Sequence, residues 1–163
     1  MRRRILSVLA LTALAAATNL VSTVSAGSLA QEQRIMLVQK QRAGAPTGTF
    51  DFYALSPGPL KLDSGTYTYT AVEKPPVILK GQGMAVYVTV AMLTGRRGTF
   101  VIRWRMEFVG AGDGNTVGTG TWSLVHGTGA YAGASGGGRA AAVAVTPRGF
   151  TSSQYEGFVR VLP

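Results

Sequence analysis

Between Thr99 and Val109 the chain alternates without a break. Phe100, Ile102, Trp104, Met106 and Phe108 share one face, and Val101, Arg103, Arg105, Glu107 and Val109 share the other. Only an extended strand puts every second residue on one side, because a helix would wind these groups around its axis. Burying the first face gains on the order of ten kcal/mol, so it is predicted to face a core and the charged face to meet solvent. Arg103 and Glu107 both neighbour Arg105 on that outer face, which allows local charge balance of small energetic weight.

The same rhythm runs through the rest of the chain. Candidate strands are 34–39, 49–55, 64–72, 84–93, 119–126, 140–145 and 154–161, with Trp122, Leu124 and His126 on one side of their strand. Breakers separate them: Ala43 to Gly48, Ser56-Pro57-Gly58-Pro59, Pro75-Pro76 closing the third element, Thr94 to Gly98, Asp113-Gly114-Asn115 and Pro147-Arg148-Gly149. Glycine, at 22 residues, is about twice its usual usage and recurs between short runs rich in Val, Thr, Phe and Tyr. No window of a dozen residues after the leader has helical spacing. Turns every eight to twelve residues indicate a sandwich or a barrel.

The first residues read as an address. Met1 to Arg4 form a positive start, Ile5 to Ala17 are almost wholly apolar, and Val24-Ser25-Ala26 supplies small residues for cleavage after Ala26. An uncleaved anchor is the competing reading, but Asn19, Ser22 and Thr23 interrupt the apolar run. The expected product is secreted or held in the cell envelope, without a stable membrane span after cleavage. Loss of Arg2, Arg3 and Arg4 leaves 13 basic against 7 acidic residues, an excess of six. That excess serves solubility or favours an anionic envelope polymer. With no cysteine, neither a disulfide framework nor a thiolate metal site can form.

Most catalytic chemistries lack their parts. Gly133-Ala134-Ser135-Gly136-Gly137 matches a nucleophile elbow in letters only: no helix is predicted after it, and the single histidine, His126, precedes the serine. One histidine cannot build a multi-histidine metal site, and Asp113-Gly114-Asn115 has too few carboxylates for a calcium loop. Alternation puts Trp104 on the opposite face from Arg103 and Arg105, so they form no stacking platform for nucleic acid. No metal, cofactor or nucleic-acid partner is expected.

The most distinctive stretch is Gly118 to Gly133, in which a strand ends in Gly127-Thr128-Gly129 and Tyr131 and a further glycine turn follow. The glycines allow positive φ and close backbone approach, and Tyr131 can fold over a barrel end as a plug. This run resembles the allene oxide cyclase and dirigent protein superfamily, most closely its small exported bacterial look-alikes. The strong part covers roughly residues 117–143, and strand rhythm extends it over 49–161. It departs from many members in having His126 where they have glycine. The resemblance implies an eight-stranded antiparallel barrel, often dimeric or trimeric, whose cavity steers a small hydrophobic or phenolic molecule. The acidic and basic cavity residues of those reactions do not map onto positions here, so fold is implied more strongly than activity.

The expected organisation is a signal peptide over 1–26, a lead-in with a candidate first strand over 27–48, and a single closed antiparallel β-barrel of about eight strands over 49–163. The expected function is a non-catalytic binding or surface-interaction module for a small hydrophobic ligand. The alternative is a cyclase- or dirigent-like protein that steers a reactive intermediate, since such sites need shape more than catalytic groups. Candidate cavity or rim residues are His126, Tyr131, Trp122 and Glu107; none is assigned a catalytic or metal-binding role. Asp51, Asp63 and the tyrosines are further polar contributors for the alternative, and assembly into a homo-oligomer fits either reading.

Overall fold

The computed structural model describes residues 31–79, 84–145 and 149–162, with 71–79 as backbone only. The leader read over 1–26 lies outside the described residues, as does Pro147-Arg148 of the last turn.

Eight strands form one antiparallel sheet: β1 (Gln31–Arg42), β2 (Thr47–Ala54), β3 (Asp63–Leu79), β4 (Met84–Gly95), β5 (Gly98–Gly112), β6 (Asn115–Gly127), β7 (Ser135–Val145) and β8 (Phe150–Val161). Each strand pairs with the next, and β1 pairs with β8 from Gln31↔Val161 to Arg42↔Phe150, which closes the sheet in a ring. The β2–β3 ladder stops at Thr47↔Thr68, whereas β3 runs on to Leu79 against β4 alone. β1 outruns the 34–39 segment legible in the sequence and contributes a full wall. One turn of 3-10 helix, Gly129–Tyr131, interrupts the β structure after β6.

β5 follows its alternation except at Val101, which was expected on the outer face and is buried. Phe100, Ile102, Trp104 and Met106 are buried, Arg103 and Arg105 are exposed, and Phe108 packs against the core cluster while partly buried.

Two local expectations are corrected. Pro75-Pro76 does not end β3, which continues to Leu79. The ladder to β4 shifts register between Lys74 and Val77, so both prolines fall at an irregularity where no ladder N–H is required. His126 does not join Trp122 and Leu124 inside. The ladder pairs Ile102 with Leu124 but Val101 with His126, so Val125 is the extra residue of a bulge and His126 emerges on the outer face.

The two ends of the ring differ. One receives the ends of β2, β4, β6 and β8 and is filled: Phe50, Phe52, Phe100 and Tyr131 meet with ring centroids 4.5–6.0 Å apart. The connection after β2 folds over this end and is tied down by buried Gln33. Its Nε2 donates to Ser56 O (2.8 Å) and Leu60 O (2.9 Å), and its Oε1 accepts from Leu60 N (2.9 Å). The opposite end has smaller inward residues. Toward it β4 runs Leu93, Ala91, Thr89, Tyr87, Ala85; β8 runs Val159, Gly157, Tyr155, Ser153, Thr151. An eight-stranded ring is just wide enough to fill with side chains or to hold one small ligand. In this ring one end is filled by side chains and the other encloses open space.

Candidate ligand cavity

The open end holds a cavity of about 630 Å³. Its apolar wall includes Tyr69, Tyr87, Trp104, Met106 and Phe108, and Ala85, Gly110 and Ala144 leave the room. Hydroxyl and amide groups come from Gln41, Thr89, Thr116, Thr151 and Ser153. Among the described lining residues there is no carboxylate, imidazole, ammonium or guanidinium.

The room arises from an asymmetry of side-chain size. β3, β4 and β5 send large rings inward, with Tyr69 against Trp104 (6.1 Å) and Tyr87 edge-on to Phe108 (5.5 Å). β6 and β7 face them with glycine and alanine. A Cβ at Gly118 would stand 2.5 Å from the Phe108 ring, so that ring occupies space the glycine vacates.

Beneath the cavity lies a layer of buried polar groups. The Tyr155 hydroxyl donates to Gln39 Oε1 (3.0 Å), the Tyr67 hydroxyl donates to Gln41 Oε1, and the Tyr67 and Tyr69 rings meet edge to face at 5.4 Å. Nε2 of Gln39 and Nε1 of Trp104 are enclosed without a hydrogen-bond acceptor. Burial pushes the Tyr67, Tyr69 and Tyr155 phenols above their ordinary value of 10.0, because an ion there would lose its hydration. These groups therefore stay neutral hydrogen-bonding groups near neutral pH.

The four residues singled out in the sequence do not converge on this cavity. Tyr131 is buried at the filled end and donates to Asp63 Oδ2 (2.9 Å), as a plug does. Burial first, then Asp63, raises its pKa. Trp122 faces inward opposite Trp104, and its Nε1 donates to Glu156 O (3.1 Å). Glu107 sits outside, ion-paired with Arg105 (2.7 Å), and this exposed pair is worth little. His126 is exposed. No protein-family model matches the chain, and no curated protein matches it. The cavity's own chemistry therefore carries the functional reading. Sequence reasoning missed most of its lining; the signal available was the change toward small and polar inward residues along β4 and β8.

Four phenols with raised pKa values bear on pH dependence. Their folded-state pKa exceeds the unfolded value, so the stability they contribute is present below pH 10.0 and is lost as pH rises beyond it. In an alkaline titration followed by tyrosinate absorbance, Tyr67, Tyr69, Tyr131 and Tyr155 are expected to ionise only together with loss of near-UV circular dichroism. Ionisation of these four near pH 10 in a protein that keeps its native dichroism would contradict this packing.

Proposed function

We propose that the chain is an exported, non-catalytic binding module of the allene oxide cyclase and dirigent-like kind, holding one small, neutral, largely apolar molecule in the open end of its ring. The observation that carries this reading is the 630 Å³ cavity with an aromatic wall, a hydroxyl- and amide-bearing rim and no charged group among its described lining residues. That volume lies within the usual range for small-molecule sites, and such sites are mostly apolar with a few polar groups that fix orientation. A charged ligand would lose its hydration there without a counter-ion.

Two or more ionisable groups converging in the cavity would favour the cyclase-like alternative. The described lining supplies only phenols as ionisable groups, and Tyr69 is held neutral by burial. Secretion or retention in the envelope follows from the leader proposed over 1–26. The excess positive charge leaves an anionic polymer as a second partner on the outer surface.

The test uses the neutral fluorophore N-phenyl-1-naphthylamine. In Trp122→Phe protein, Trp104 is the only indole, and it lines the cavity. Saturable quenching of Trp104, at one probe per chain, is the expected result. Quenching that rises without saturation, or none, contradicts the reading.

A further inference from the structure

The filled end of the ring carries a surface that ligand binding does not use. It is built from the β2–β3 connection, the Arg96-Arg97 turn and the segment following β6. Contacts between these segments make it continuous. Arg97 Nε donates to Leu62 O (3.0 Å), Ala130 N donates to Arg97 O (2.9 Å), and the position a Cβ would take at Gly133 lies 3.8 Å from Leu162 Cβ. On this cap Leu62 is 65% exposed, Leu162 61% and Leu55 43%, several large apolar side chains at one end of the ring. Lys61, Arg96 and Arg97 stand exposed beside them.

The described carboxylates nearby are committed. Asp63 is buried under the turn and accepts from the Arg96 and Arg97 backbone, and Glu32 pairs with Arg160 (3.2 Å). The surface is therefore both basic and apolar. Cations next to exposed large apolar side chains match an anionic lipid surface, where headgroup phosphates meet the charges and the apolar groups enter the acyl boundary.

We propose that this cap docks on an anionic membrane surface, with Leu62 and Leu162 entering the headgroup layer, Lys61, Arg96 and Arg97 on the phosphates, and the cavity mouth directed away into solvent. A soluble acidic polymer would engage the cations but leave the leucines without a role.

The experiment is co-sedimentation of residues 27–163, which contain every described element, with vesicles of phosphatidylcholine alone or with one third phosphatidylglycerol. Binding is expected to the anionic vesicles only and to weaken with salt. Each cation removed should weaken it roughly fivefold, so Arg96→Gln with Arg97→Gln is expected to cost more than tenfold. Leu62→Ser with Leu162→Ser should weaken it roughly tenfold while leaving the salt dependence unchanged. Lys40→Gln with Arg42→Gln, exposed near the opposite end, should bind like the parent. The proposal is overturned by absent binding, by an equal loss in the Lys40/Arg42 variant, or by undiminished binding of the leucine variant. Equal affinity for soluble polyglutamate, insensitive to the leucines, would assign the cap to an acidic polymer instead.

Discussion

Replacing Asp63 with alanine is expected to destabilise the fold by about 3–5 kcal/mol. The carboxylate is buried at the start of β3 and accepts four hydrogen bonds: from Ser64 N (2.9 Å), Arg96 N (3.0 Å), Arg97 N (3.3 Å) and the Tyr131 hydroxyl (2.9 Å). One side chain thus joins the β4–β5 turn to the tyrosine that plugs the filled end. Alanine would leave these donors without their acceptor, and each buried donor left without one costs about 1–3 kcal/mol. Tyr131→Phe removes one donor and one bond together and should cost only about 1 kcal/mol. Asp63→Asn should fall between, since its amide nitrogen would face donors. Urea unfolding of the three variants checks the order. Equal stability of Asp63→Ala and the parent would contradict the described geometry.

Ala144→Phe is expected to abolish binding of N-phenyl-1-naphthylamine, weakening it by at least 100-fold, while changing stability by less than about 1 kcal/mol. Ala144 lines the cavity from β7, across the ring from Ala85 on β4, and a phenyl group there would enter open volume instead of packed core. The pairing of lost binding with kept stability is the diagnostic. Enlargement acts differently at Gly138, where a Cβ would stand 1.9 Å from Glu156 O and strike the ladder instead of the cavity.

The architecture was legible because alternation and turn chemistry are local. β5, the Asp113-Gly114 turn and the Arg96-Arg97 tip follow from a few adjacent residues each. Ring closure was not readable in that way. It depends on β1 meeting β8, a pairing across more than a hundred residues that no local pattern records. His126 was misplaced because a period of two carries no sign of the extra residue at Val125. The cavity was the least legible element. A strand's alternation tells which residues point inward, but not whether opposed inward residues fill the space between them. Phe108 lies over Gly118 through the local β5–β6 pairing, but only the closed topology sets the rings of Tyr87 and Trp104 around one cavity with Ala144 of β7. Asp63, likewise, reads in sequence as one acid among seven; its four donors are gathered from three separate segments.

The open end of the ring is proposed to take one neutral, largely apolar molecule. Native mass spectrometry tests it most directly, on protein purified from its own culture medium and incubated with the organic extract of that medium. The expected spectrum shows the chain carrying one discrete small molecule, absent from Ala144→Phe protein treated identically. A bare polypeptide mass for the parent chain, or the same adduct on both proteins, would contradict it.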